Sequence, residues 1–343
     1  MFMHLKPILI GATTAVLSVM GVGSWYVFIA GAPQLDPPAA EVNTNLTFKV
    51  ESVMSRSLGQ LRKYGVVLPP GYDSKQKTAY PVIILLHGGH GTERDYEDKA
   101  RLTSVLHDLY SQKKLPPSIV ITPDGNDLRG SSALWDPQYI DGKHGKVATF
   151  LGQELVHIVQ SRYHTLKDSQ FWAIGGLSSG GWGALNIGLH YPQQFRTLFS
   201  HTGYFVDKSG PNNSPQKFIQ TLPEDLRSQL KIYLDAGESD HKYLEATRSF
   251  HETLDQLRID NTFNVFPGGH GIVGPDVGWN YWHKHLIDSL SFVGQQFKTA
   301  LAEKAVSPVT PAASTPPVPS KSPSPSKKSA NLSNHAEITA LHR

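Results

Sequence analysis

The sequence predicts an α/β fold with a mostly parallel central sheet and helices on both faces. Three observations carry this. The short apolar run 82–86 is continuous rather than alternating, as a strand covered on both faces is. Strands and amphipathic helical stretches take turns along most of the chain, the order that builds parallel sheets. The chain has 343 residues, 39% hydrophobic and 18% charged. That is ordinary globular material, long enough to bury a sizeable core, and it excludes wholesale disorder and a multi-span membrane protein.

Taken in order, 46–55 and 61–68 read as two antiparallel strands before the turn Pro69-Pro70-Gly71. The run 82–86 is a buried parallel strand, 94–115 has helical spacing, and 119–122 is a strand ended by Pro123-Asp124-Gly125. Over 147–163, Phe150, Leu151, Leu155, Ile158 and Val159 fall on one side of a helix. Strands follow at 171–174, 198–200, 232–234 and 263–266. Helices follow at 182–190, 243–257 and 281–300.

The two ends differ from this body. No residue from Pro7 to Leu35 is charged or histidine, and 8–32 is long enough to span a bilayer as a helix. His4 and Lys6 precede it and Asp36 and Glu41 follow, so the positive-inside rule places the body outside the cytoplasm. Ala30-Gly31-Ala32 fits a signal-peptidase site, so a removed signal peptide competes with an uncleaved anchor. The anchor is favoured, because the apolar stretch exceeds a signal h-region and Pro33 would be a poor first mature residue. The far end is rich in Pro, Ser and Lys and reads as an extended tail. The expected organisation is therefore 1–35 as membrane anchor or signal peptide, 42–304 as catalytic domain and 305–343 as tail.

Net charge is +3, and the tail holds all of it: Lys321, Lys327, Lys328 and Arg343 against Glu337. A neutral body argues against a nucleic-acid surface. The chain contains no cysteine, which removes disulfides, thiolate nucleophiles and Cys-ligated zinc.

The sharpest motif is Gly175-Gly176-Leu177-Ser178-Ser179-Gly180-Gly181, a G-x-S-x-G between an apolar strand and a helix. Such a turn strains the serine backbone and exposes its Oγ. Ser178 is the candidate nucleophile. A serine needs a base, and the base needs an orienting carboxylate. In α/β-hydrolases these follow in the order acid, then histidine. The strand at 232–234 runs into Asp235, Glu238 and Asp240. Asp240 lies deeper in the loop and is favoured as the acid, while Asp235, nearer the strand end, can instead hold the turn. The next strand runs into Gly268-Gly269-His270-Gly271, making His270 the candidate base. The oxyanion needs two N–H donors. Ser179, after the nucleophile, and Gly89, in His87-Gly88-Gly89-His90-Gly91, are the candidates.

The loop over 128–145, ~18 residues, is too long for a mere connection. It carries Trp135, Asp136, Tyr139 and His144. Trp135 and Tyr139, with Trp279 and Trp282 beyond His270, are candidate substrate contacts; ordinary packing is the alternative for each. His283 and His285, two apart on a helix, point to different faces and do not make a metal pair.

On these residues the chain resembles the esterase D-like esterases of the α/β-hydrolase fold, a group with feruloyl and acetyl-xylan esterases, S-formylglutathione hydrolase and mycolyltransferases. The matching stretches are Leu85 to Gly89, Thr122 to Gly125, Glu154-Leu155 with Tyr163, and Ala173 to Leu185 with Tyr191-Pro192 and Phe195. Gly237 with Asp240 and Gly268 to His270 complete them. The resemblance covers about 50–300 and implies Ser178, Asp240 and His270 as nucleophile, acid and base. Ser179 stands where the family often has Met, and the stretch 271–278 is longer than usual.

The expectation is an exported serine carboxylic-ester hydrolase that forms an acyl-enzyme on a carbohydrate, lipid or small-molecule ester. It implies no cofactor and no metal. The alternatives are an acyltransferase of the mycolyltransferase type and a non-catalytic wall-binding protein on the same scaffold.

Overall fold

The computed structural model describes residues 34–38 and 44–306 apart from 133, with isolated positions at 18, 21 and 22. The expected membrane segment over 8–32, apart from positions 18, 21 and 22, and the tail beyond 306 lie outside the described residues. Among the described residues no helix is long and apolar enough to cross a membrane. The chain divides into one unit over 1–304 and a second over 305–343; the fold below belongs to the first.

Eight strands form the main sheet. They are β1 (Phe48–Ser55), β2 (Gln60–Val67), β3 (Val82–Leu86), β4 (Ile119–Pro123), β7 (Trp172–Leu177), β8 (Thr197–His201), β9 (Lys231–Gly237) and β10 (Asp260–Phe266). Their spatial order is β1-β2-β4-β3-β7-β8-β9-β10. The pairs β1/β2 and β2/β4 are antiparallel, and every other neighbouring pair is parallel. Strand β2 therefore runs against the other seven. The short pair β5 (Asp141–Gly142) and β6 (Gly145–Lys146) forms a hairpin at the end of the 128–145 loop.

Strand side chains alternate between two apolar layers, as the period of two requires. Val82, Ile84 and Leu86 of β3 enter one layer, with Phe150, Leu155, Trp182 and Phe250. Ile83 and Leu85 enter the other, with Leu102, Leu106, Leu290 and Phe297. All five residues of β3 are buried, which is why the sequence shows a continuous apolar run. The first layer is covered by a helical run over 147–162, by Ser179–His190 and by His241–Gln256. The second is covered by Leu102–Ser111 and the long Trp279–Val306.

We number the helices α1 (Asp95–Asp98), α2 (Leu102–Ser111), α3 (Val147–Thr149), α4 (Leu155–Arg162), α5 (Ser179–His190), α6 (Pro215–Phe218), α7 (Glu224–Arg227), α8 (His241–Gln256) and α9 (Trp279–Val306). The single helix expected over 94–115 is broken in two. Arg101 takes a left-handed conformation, φ 52°. The Glu97 carboxylate then accepts from the N–H and hydroxyl of Thr103 at 3.0 and 2.8 Å. A carboxylate from one helix thus caps the start of the next, satisfying a donor that a helix N-terminus leaves orphaned.

Between α3 and α4 lies a π turn, Phe150–Glu154. It aims Glu154 at the β1–β2 hairpin. There the carboxylate accepts from Ser55 Oγ (2.8 Å), Arg56 N–H (2.6 Å) and Ser57 N–H (3.0 Å). Partial burial opposes ionisation, but the Arg56 and Ser57 amides outweigh it and hold the Glu154 carboxyl below its ordinary range. A lowered carboxyl stabilises the fold above its unfolded-state pKa, and that contribution disappears as pH falls through the folded value. Glu154→Gln is therefore expected to cost about 1 kcal/mol at neutral pH, a figure discounted for solvent exposure. The difference from wild type should shrink in acid. Denaturant unfolding at pH 7 and pH 3 measures it, and a penalty that persists at pH 3 would assign the effect to packing.

Candidate active site

The site forms where β7 turns into α5. Ser178 sits at φ 53°, ψ −120°, a region costly for any residue with a Cβ. Its N–H donates to His201 O at 2.9 Å, and its carbonyl accepts from Trp182 N–H at 3.2 Å. The turn is tight enough that a Cβ on Gly180 would lie 2.2 Å from Leu86 O. Glycine there lets the start of α5 lie directly on β3. The first N–H groups of α5, Ser179's among them, have no acceptor within the helix.

The loop after β9 ends at Asp240, which is the N-cap of α8 but makes no side-chain cap bond. Its Oδ2 instead accepts from His270 Nδ1 at 2.7 Å and from His270 N–H at 2.8 Å. Gly269, at φ 133°, makes room, since a Cβ there would lie 2.5 Å from Asp240 Cγ. Two bonds from one carboxylate oxygen fix both the ring and the main chain of His270, with the Nδ1 proton toward Asp240. The Tyr243 ring stacks on His270 at 4.4 Å, and Trp282 meets it edge-on at 5.3 Å. His270 Nε2 is buried and has no hydrogen-bond partner among the described residues.

The three acids that the sequence leaves in competition separate completely. Glu238 is exposed. Asp235 is fully buried and accepts from His201 Nδ1 (2.6 Å) and Tyr281 OH (2.9 Å). His201 Nε2 in turn meets Ser289 Oγ at 2.9 Å. Ser289, His201 and Asp235 thus form a buried Ser–His–Asp chain that ties β8, β9 and α9 together behind the elbow. Only Asp240 meets His270.

The loop after β3 lies alongside. A Cβ on Gly88 would come within 3.4 Å of Ser178 Cβ, and one on Gly89 within 2.5 Å of Asp136 Oδ1. His87 braces this loop: its Nε2 accepts from Gly125 N–H at 3.0 Å and its carbonyl from Tyr139 OH at 2.6 Å. Tyr139 is thus not a cleft residue, contrary to expectation. It is fully buried and its hydroxyl is consumed by His87. Trp279 and Trp282 are also nearly buried. Trp282 donates to Thr202 Oγ1 at 3.1 Å and supports His270 from one side. Trp279 packs between Tyr96, Trp282 and the Lys99 ammonium.

Of the four expected contacts, Trp135 alone lines the open cleft of about 480 Å³, with Asp136, Trp182, Tyr204, Lys208, Lys242 and Tyr243 among its other walls. Tyr204 stacks on Trp182 at 5.4 Å, and contact with Ser179 places it at the elbow. Burial pushes the Tyr243 phenol up, Asp136 and Asp240 add to this, and contact with Ser178 opposes it. The sequence reading missed both tyrosines. Tyr243 lies three residues beyond Asp240, on the same side of a helix, which was the one available signal. Tyr204 follows a strand end in a loop without a motif.

A doubly covered sheet of this order, with a strained serine at one strand end and a carboxylate-bound histidine at another, defines an α/β-hydrolase. The chain belongs to the Esterase family, described as "Putative esterase", whose model matches residues 55–293. An acetyl esterase from Caldicellulosiruptor saccharolyticus is 24% identical over 242 residues, 62% of this chain and 83% of its own length. A solved ferulic acid esterase aligns with TM-score 0.65 at 25% identity, over 74% of this chain and 100% of its own. A protein of Corynebacterium glutamicum is 21% identical over 249 residues, 67% of this chain; the match spans 56% of that relative's length.

The two buried carboxylates should behave oppositely on substitution. Asp240→Asn is expected to lower kcat on the order of 10⁴-fold, as loss of the tautomer-fixing acid does in other triads, with little change in stability. Asp235→Asn should cost about 2–4 kcal/mol in unfolding, because it breaks a fully buried network. Parallel kinetics and denaturant melts of the two variants decide this; the larger catalytic loss falling on Asp235 would reverse the assignment.

Proposed function

We propose that the chain is an exported serine carboxylic-ester hydrolase acting through Ser178, His270 and Asp240. The observation that carries the reading is the 2.7 Å bond from His270 Nδ1 to Asp240, with Tyr243, which stacks on His270 and contacts Ser178, linking that pair to the serine held at positive φ. His270 Nε2, the nitrogen left free, takes the proton of Ser178 Oγ as that oxygen attacks the ester carbonyl. The carbonyl oxygen becomes an anion, and the N–H groups of Gly89 and Ser179 receive it. The tetrahedral adduct collapses, and His270 gives its proton to the departing alcohol. Water then repeats the sequence on the acyl-enzyme. Asp240 stays ionised and stabilises the imidazolium that forms in each half-reaction.

The cleft supports an ester with a ring to stack. Trp135, Tyr204 and Tyr243 present aromatic surface, which suits an aryl acyl group or a sugar face. The name of the ferulic acid esterase among the similar structures agrees with an aryl acyl group. The uncharged stretch before Asp36, with its basic flank on the N-terminal side, supports export and retention by an uncleaved anchor.

Ser178→Ala is expected to abolish ester turnover, on the order of 10⁴-fold or more, with the fold intact. A panel of p-nitrophenyl, feruloyl and acetyl-sugar esters gives both the loss and the specificity. Retention of a tenth of wild-type turnover, roughly, would remove Ser178 as nucleophile. Fractionation with N-terminal sequencing tests the address: an intact N-terminus in the membrane fraction is expected, Pro33 as first residue would mean cleavage, and cytosolic full-length protein would remove export.

A further inference from the structure

The residues ahead of the catalytic unit, Gln34 to Pro38, are bonded to the loop that leaves His270. Leu35 N–H donates to Ile272 O at 2.8 Å. Gly274 N–H donates to both Asp36 carboxylate oxygens at 3.0 and 2.9 Å. Trp279 N–H donates to Gln34 Oε1 at 3.1 Å, and Asn280 Nδ2 to Asp36 O at 2.6 Å. This strap and the 271–278 loop form one rim beside the catalytic histidine.

The rim exposes aliphatic side chains. Leu35 is 60% exposed, Ile272 41% and Val273 58%, and the strap-to-loop bond brings them together. Scattered exposed aliphatics need no explanation, but these stand where the uncharged stretch from Pro7 ends, at Leu35 itself. Within that stretch the described positions 18, 21 and 22 are helical and exposed. From Ala32 to Leu35 the chain reaches at most ~11 Å, and a headgroup region is roughly 5–8 Å deep. The rim therefore cannot stand far from a bilayer that the 8–32 segment enters. Asp276 is paired with Lys284 at 2.6 Å; Asp36 is exposed and held in its charged form by Gln34 and Gly274, so it must stay at the level of the headgroups while the aliphatic side chains beside it enter.

We propose that Leu35, Ile272 and Val273 form a membrane-seating surface that holds the mouth beside His270 against the bilayer, so that esters are drawn from the lipid phase. The proposal rests on the anchoring reading above and adds to it an orientation and a source of substrate.

The absence of cysteine allows one reporter at one place. Full-length Val273→Cys carrying an environment-sensitive nitrobenzoxadiazole dye is reconstituted into phosphatidylethanolamine/phosphatidylglycerol vesicles. The same dye at Met54→Cys, 63% exposed on the edge strand β1, is the control. The dye at 273 is expected to shift to the blue and to be quenched by spin-labelled lipid, while the dye at 54 stays in water. In a second arm, Ile272→Ser with Val273→Ser should lower turnover of a long-chain ester held in the vesicles by about tenfold and leave a soluble short-chain acetate ester unchanged. If the protein floats with vesicles but residue 273 stays in water, the surface falls and the anchor stands. If the protein does not float with them, both fall. A blue shift that follows protein concentration rather than lipid would assign the rim to a second copy and overturn the proposal. So would an equal loss on both esters, which would make the loop a support of catalysis alone.

Discussion

The structure depends on how closely β7 and the start of α5 approach β3. Ser178 can hold its positive φ only because the surrounding main chain leaves it no alternative. Its N–H is taken by His201 O, and Gly180 lies where any side chain would strike Leu86 O. Strain of this kind, on the order of 1–3 kcal/mol, persists only where the neighbourhood over-determines it. Strand β8 supplies the acceptor and β3 the wall. The position of the serine is therefore a property of three adjacent parallel strands rather than of the turn alone.

The same end of the sheet explains why two His–Asp pairs coexist without competing. Asp235 lies inside β9, level with His201 on β8. Its side chain is enclosed, with Tyr281 and His201 as partners. Asp240 lies past the strand, where the chain has turned toward His270. One pair is sealed and joins β8, β9 and α9 behind the elbow. The other keeps one ring nitrogen without a partner. An unmet buried polar atom is a cost to the fold, and at His270 it is the nitrogen that the proposed mechanism uses.

The aromatic residues divide along the same line. Tyr139, Trp279 and Trp282 are close to the site, but their polar atoms or faces are already used by the protein. Trp135, Tyr204 and Tyr243 line the cleft. The loop over 128–145 contributes in two ways: Tyr139 anchors it under His87, and Trp135 with Asp136 extends over the opening. One buried phenol thereby braces both the loop carrying Gly89 and a wall of the cleft.

Much of this was legible without coordinates. Continuous apolar runs mark strands covered on both faces, and glycines at 176 and 180 around a serine mark an elbow, because local chemistry admits few other uses. The chain order of Ser178, Asp240 and His270 follows from the strand ends on which they sit. Local sequence cannot tell whether a tryptophan near a histidine faces substrate or supports the ring, since burial depends on what packs from elsewhere in the chain. The break at Arg101 was equally hidden, as Glu97 becomes a cap only once the backbone has turned. Asp235, Glu238 and Asp240 share one short segment and the same carboxylate chemistry. What separates them is strand register and loop path, which set whether each carboxylate meets His201, water or His270, and those are decided only when distant strands come together.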